Sequence, residues 1–187
     1  MRKVRYNLFI EGKNICLREI QISDVKKNYY NWMRDPEVNQ YLESRFEKWS
    51  VRRLKNYVKE IKINRDNFFW AIILNETGGH IGNIKLGPVN RKHGFADLGI
   101  IIGEKPYWGK GFATEAITLV VDYAFEKLKL NKLTAGAYAN NVASIKAFKK
   151  AGFKKETLMK QHYCFEGKYI DGVGLCIINK KGVSLPR

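Results

Sequence analysis

The residues best suited to chemistry in this sequence lie where a short apolar run, Leu98 to Ile102, leads into a turn that opens a helix. The turn reads Trp108-Gly109-Lys110-Gly111-Phe112-Ala113-Thr114. Gly109 and Gly111 allow backbone conformations closed to other residues and a close approach of the chain to a ligand. From Ala113 onward, apolar residues recur at Ala116, Ile117, Val120, Ala124, Phe125 and Leu128, which is one face of a helix. The first amides of such a helix have no partner within it and stand at the positive end of its dipole. Strand, glycine turn and free helix N-terminus together make a seat for phosphate. The turn lacks the Gly-Lys-Ser/Thr ending of a nucleotide P-loop, and its glycines do not fit the dinucleotide fingerprint. An ordinary strand-to-helix turn would show the same glycines, so spacing alone leaves both readings open.

The stretch Trp108 to Ala116, WGKGFATEA, resembles the acetyl-CoA signature of the GNAT N-acetyltransferase superfamily. Downstream, Asn141, Ser144, Phe148, Gly152 and Phe153 are similar to that superfamily's Asn-x-x-Ser…Gly-Phe segment. The motifs stand in the expected order, and the similarity in layout runs from Ile15 to Ile178, closest to the ribosomal-protein alanine acetyltransferases and the spermidine acetyltransferases. The resemblance implies acetyl-CoA as co-substrate. Its pantetheine arm would lie between two splayed strands and pair with backbone groups of Ile101 and Ile102. Its pyrophosphate would sit on the amides of Trp108, Gly109, Lys110, Gly111, Phe112, Ala113 and Thr114, with further cofactor contacts at Asn141, Ser144 and Phe148. The Gly103-Glu104-Lys105 connection looks longer than in those relatives, which leaves the register of the backbone contacts open.

Moving an acetyl group from a thioester to an amine requires a base for the amine, stabilisation of the carbonyl oxygen and a proton or solvent for the leaving thiolate. Asp97 stands on the strand where several members of the superfamily carry a carboxylate base. It could equally be a surface aspartate among lysines, and Glu104 and Glu43 are rivals. Many members place a tyrosine acid where this chain has Phe148. Ser144 could hydrogen-bond the sulfur instead, as in the ribosomal-protein branch, or merely cap its helix. Tyr138 and Tyr163 are further substitutes.

The chain has 187 residues, enough for one domain spanning 1–187 with its own core. Lysine and arginine number 34 against 18 acids, a net charge of +16. Most of that excess reads as solvated surface, and part suits a cleft that gathers the phosphates of coenzyme A. The basic residues are scattered and no recognised nucleic-acid motif is present, which argues against a nucleic-acid partner. The balance also argues against a polycation as acceptor and favours an anionic or anion-linked one. A protein N-terminal amine or an amino sugar on a nucleotide carrier is therefore expected, with a polyamine or other small amine as the alternative. A non-catalytic CoA-binding or nucleic-acid-binding module is the alternative from another class. His80, His93 and His162 share no ligand spacing, so no metal is expected. Cys16, Cys164 and Cys176 are odd in number and widely spaced, which suits reduced thiols in the cytosol. Met1 to Ile10 is basic and then too briefly apolar for a secretory signal, and no apolar run is long enough to span a membrane. A cytoplasmic monomer or homodimer is the expectation.

These residues need a scaffold. Strands are expected over Asn14–Ile20, Phe68–Leu74, His80–Val89, Phe95–Ile102 and Lys132–Tyr138, and two more between Lys154 and Ile178 around Glu166-Gly167. Helices are expected from Ser23 to Trp32, ending before Pro36, then after Ser50, from Ala113, and after Asn141 to a stop at Gly152. Gly82 and Gly87 suggest a bulge or a close backbone approach. The segment Asn39 to Trp49, with Tyr41, Glu43, Arg45, Phe46 and Trp49, stands where the superfamily keeps its variable acceptor wall, or simply packs as a loop. The fold class is α+β: a mostly antiparallel, splayed mixed sheet of the GNAT type with helices on both faces.

Overall fold

The computed structural model describes residues 8–180. Most of the Met1 to Ile10 segment read above as a cytoplasmic start lies outside the described residues. Eight strands form one sheet: β1 (Ile10–Glu11), β2 (Ile15–Glu19), β3 (Phe68–Leu74), β4 (His80–Leu86), β5 (Phe95–Ile102), β6 (Lys132–Tyr138), β7 (Lys154–Phe165) and β8 (Lys168–Ile178). Their order is β1-β2-β3-β4-β5-β6-β8-β7. Every neighbouring pair is antiparallel except β5–β6, which is parallel. The helices are α1 (Lys27–Trp32), α2 (Pro36–Asn39), α3 (Val51–Ile63), α4 (Phe112–Glu126) and α5 (Val142–Lys150). The α+β expectation holds.

Burial explains why these strands sit at the centre. All seven residues of β3, FFWAIIL, are buried, so this strand is covered on both faces. On one face Ala116, Ile117, Val120 and Ala124 of α4 pack with Trp70, Leu98 and Leu133. On the other, Tyr29 and Trp32 of α1 and Leu54 and Val58 of α3 pack with Phe69. Fully burying a leucine or isoleucine contributes about 1.5–3 kcal/mol, so these layers hold the helices in place.

Two local expectations change. The helix expected from Ser23 begins as a 3₁₀ turn at Ile22–Asp24, and α1 itself starts only at Lys27. α1 ends at Trp32 and Asp35 is extended, as expected before Pro36; Asp35 then caps a short further helix, α2, with its own side chain. The strand expected to reach Val89 stops at Leu86, because Gly87 takes a φ of 134°. Gly82 is a close approach, since a Cβ there would collide with the Ile101 carbonyl oxygen. It also adjoins the bulge it hinted at: Ile72 pairs with Gly82 and Ile73 with His80, so Ile81 is the extra residue on β4.

The feature that matters for function is a parting of the sheet. β5 and β6 pair only from Phe95 to Asp97 against Lys132 to Thr134. Beyond that point β5 stays with β4 as far as Ile102, while β6 stays with β8 as far as Tyr138. A V-shaped gap opens between Leu98–Ile102 and Ala135–Tyr138. Among the described residues, no helix is long and apolar enough to cross a membrane.

Candidate active site

The wide end of the gap leads to the glycine turn. Gly109 and Gly111 have φ values of 72° and 91°, in the left-handed region that glycine takes without strain. A Cβ on either would meet nothing within 4 Å, so their role is conformational. Gly111 is the N-cap of α4, and the first helical bond runs from the Glu115 amide to the Gly111 carbonyl at 3.0 Å. The amides from Gly109 to Thr114 have no acceptor among the described residues. A continuous row of donors at a helix N-terminus is what an anionic oxygen cluster needs. The row begins one residue later than expected. The Trp108 amide donates to the Lys105 carbonyl at 3.0 Å, and its indole donates to the Ile102 carbonyl at 2.7 Å. Trp108 therefore braces the end of β5. Glu115 anchors the turn from behind, accepting from the Asn14 amide and side chain at 2.8 Å each. Burial alone would raise its pKa, but these bonds hold it below the usual value.

Backbone direction decides which residues of β5 edge the gap. In an antiparallel ladder the amide and carbonyl of one residue point to the same side, alternating along the strand. The Asp97 carbonyl accepts from Gly87 and the Gly103 amide donates to Ile81, so odd-numbered residues face β4. Ile101 is one of these. Ile100 and Ile102 face the gap, so of the expected pair only Ile102 does, and Ile100 rather than Ile101 stands beside it.

Asp97 lies at the closed end of the V, where pairing stops. Its Oδ1 accepts from the Thr134 hydroxyl at 3.0 Å. Solvent reaches it, yet desolvation raises its pKa against the opposing pull of Thr134 and the Lys85 charge. Its rivals are engaged elsewhere. Glu104 accepts from the Trp32 indole at 3.0 Å, and Gly103 beside it has no room for a Cβ, which would run into the same indole. Glu43 accepts from the Tyr138 hydroxyl at 2.5 Å, and that hydroxyl also accepts from Arg45 at 2.8 Å. Arg45 further donates to the Cys164 carbonyl at 3.1 Å, and Tyr41 stacks on Phe165. The Glu43–Phe46 turn thus straps the tip of β6 to the β7–β8 hairpin.

Tyr163 is better placed than the sequence suggests. It stacks on Tyr138 with ring centroids 4.0 Å apart, and its hydroxyl stands 3.7 Å from where a Cβ of Gly136 on β6 would be. Burial raises the pKa of both phenols, and the Glu43 charge raises them further, so both stay protonated. A register shift in β7 between Met159 and Tyr163 produces this placement. No local pattern in the sequence announces it.

A cavity of about 740 Å³ opens on the α3 side of the sheet. Glu43, Glu47, Glu60, Arg53 and Lys85 are its charged wall residues, with Trp49, Tyr57 and Tyr29 among the aromatic ones. Arg53 is paired to Glu47. The wall is therefore richer in carboxylates than the strongly basic chain as a whole.

Residues 14–154 match the family described as acetyltransferase (GNAT) domain. The chain belongs to the GNAT acetyltransferases. It is 30% identical over 166 residues to the uncharacterized N-acetyltransferase p20 of Bacillus licheniformis, covering 88% of this chain and 91% of that one. It is 34% identical over 100 residues to the spermidine N(1)-acetyltransferase of Escherichia coli K12, covering 54% and 53%. The spermidine N-acetyltransferase of Vibrio cholerae, solved in complex with CoA and spermine, has the same fold: a TM-score of 0.80 at 23% identity over 90% of this chain and 97% of that one.

In this GNAT acetyltransferase the second motif sits beside the gap at the end of β6. Asn141 caps α5, its side chain accepting from the Ser144 amide at 3.2 Å. The capping role weighed for Ser144 thus falls to Asn141, and the half-buried Ser144 hydroxyl makes no hydrogen bond among the described residues. Phe148 is 2% exposed and packs edge-on against Phe153, so the position of the tyrosine acid is part of the core. Ser144→Ala is expected to lower kcat about 10- to 100-fold, the equivalent of a hydrogen bond to a charged group. Thermal melting should barely move. A variant with unchanged kcat and about 1 kcal/mol less stability would return Ser144 to a structural role.

Proposed function

We propose that this chain moves the acetyl group of acetyl-CoA to the primary amine of a small acceptor held in the α3-side cavity, by direct attack in a ternary complex. The observation that carries this reading is the gap between β5 and β6, with Asp97 at its closed end and the unpaired amides of Gly109 to Thr114 at its mouth. Acetyl-CoA supplies the thioester carbonyl and the thiolate leaving group. Ile100 and Ile102 offer backbone pairing to the pantetheine arm. Gly109, Lys110, Gly111, Phe112, Ala113 and Thr114 cradle the pyrophosphate, and the Lys110 ammonium lies close by over Tyr107. Asn141 orients the first turn of α5, which presents Ser144 to the sulfur. Asp97 accepts the proton that the amine loses as the C–N bond forms and the C–S bond breaks. The thiolate takes its proton from solvent or from the protonated Tyr163.

A small acceptor is favoured because the cavity, at about 740 Å³, is of small-molecule size. The similarity to spermidine acetyltransferases points the same way, and so do the cavity carboxylates, which suit a cationic amine. The chain's net charge acts at long range and is screened by salt, so local carboxylates outweigh it at contact distance. Lys85 next to Asp97 limits how much positive charge can approach the reacting centre. A panel containing a polyamine, an amino sugar, its nucleotide-linked form and a short peptide, read by release of free CoA thiol, tests this. Turnover of small amines well above that of the peptide is expected. Turnover confined to the peptide, or none above hydrolysis, would overturn the proposal.

A further inference from the structure

Asn83 on β4 is 2% exposed and is one of the wall residues of the cavity, with Tyr29, Gly99 and Ile101. Its side-chain orientation follows from His80. The His80 Nε2 lies 3.0 Å from the Gly82 carbonyl oxygen and 2.9 Å from Asn83 Oδ1. A carbonyl only accepts, so Nε2 carries the hydrogen and the oxygen of Asn83 is the end turned toward it. The imidazole is itself held edge-on against Trp32 at 5.0 Å and Tyr29 at 6.4 Å. The amide group Nδ2 is thereby fixed on the other side, and it is buried without a hydrogen-bond partner among the described residues. A buried donor left unpaired is destabilising, so a locked one at a cavity wall calls for an acceptor. The Tyr29 hydroxyl, on a residue 3% exposed, also makes no hydrogen bond among the described residues, and burial keeps it protonated.

We infer that Asn83 and Tyr29 form a neutral subsite that recognises an oxygen of the acceptor, a hydroxyl or an amide carbonyl near its amine. This rests on the reading that the cavity holds a small acceptor. Nδ2 has almost no surface open to the cavity, so the wall gives slightly as the oxygen enters; Asn83 then donates to it, and Tyr29 donates or accepts beside it. A plain alkylamine offers no such oxygen and leaves the Asn83 donor unpaired. The subsite thus selects amino alcohols and amino amides over alkylamines of equal size.

Three probes of similar size with an unbranched CH2NH2 group test this: 1-aminobutane, 1-amino-2-butanol and 3-aminopropanamide. The wild type should prefer at least one oxygen-bearing probe in kcat/KM by about 10- to 100-fold. In Asn83→Leu that ratio should collapse toward one, with a melting temperature equal to or above wild type because the unpaired donor is gone. Tyr29→Phe, which deletes only a hydroxyl, should reduce the ratio in the same direction and guards against misfolding of the first variant. A wild type without preference, or variants that keep it, would overturn the subsite. Wild-type protein inactive on all three probes would instead overturn the small-acceptor reading. In that case thermal shift with the same probes still decides the subsite: stabilisation by an oxygen-bearing probe that disappears in Asn83→Leu supports it, and its absence overturns it.

Discussion

Asp97→Asn is expected to lower kcat by about 10²–10⁴-fold, the usual worth of a positioned general base. The carboxamide that replaces the carboxylate would keep its shape and its capacity to accept from Thr134 but could not take a proton. Unfolding will not mimic this effect. Desolvation raises the Asp97 pKa above its ordinary 3.8. A carboxyl raised on folding supports stability below its ordinary value and withdraws that support as pH climbs through the folded value. At neutral pH the charged Asp97 therefore disfavours the fold, and the neutral variant should melt at the same temperature or higher. The pH profile supplies a second readout. In the wild type, the acid limb of kcat/KM should fall above the usual carboxylate range. In the variant that limb should vanish, with partial recovery at high pH as the amine deprotonates unaided. An Asp97→Asn enzyme with wild-type kcat at every pH would remove Asp97 from the reaction. The remaining explanation would then be an acceptor already neutral at working pH.

Gly111→Asp should weaken CoA binding by at least about 100-fold. Two unit charges 4 Å apart at an effective dielectric near 20 repel by about 4 kcal/mol, and the pyrophosphate would lie against the new carboxylate. The variant should still fold, because nothing lies within 4 Å of a Cβ at this position. Strain at a φ of 91° remains, and aspartate tolerates the left-handed region better than most residues. Gly111→Ala carries similar strain without the charge, so it separates the two causes: its loss should be much the smaller. Calorimetric titration with CoA measures both. Unchanged affinity in a folded Gly111→Asp protein would mean that the pyrophosphate is seated elsewhere.

Much of this protein is legible without a structure, and the reason is locality. The periodicity after Ala113, the glycines of the turn and the alternation of strands and helices depend on residues close in sequence. α4, the left-handed Gly109 and Gly111 and the α+β layers follow from them. Asn141 and Gly152 likewise announce the start and stop of α5, because caps are local hydrogen-bond devices.

What tertiary structure alone decided depends on partners far apart in the chain. Which isoleucines border the gap was settled by pairing parity against β4, where a one-residue shift exchanges sides. Glu104 was drawn away to Trp32, and Glu43 to Tyr138, across 72 and 95 residues. Tyr163 reached Tyr138 only through an irregularity in β7. Net charge, a sum over the whole chain, said nothing of the carboxylates gathered on one cavity wall. Sequence determined the elements and the phosphate turn, because those arise from short-range sterics and hydrogen bonding. The environment of each candidate catalytic group arises from packing between distant segments, and only the folded chain brings those together.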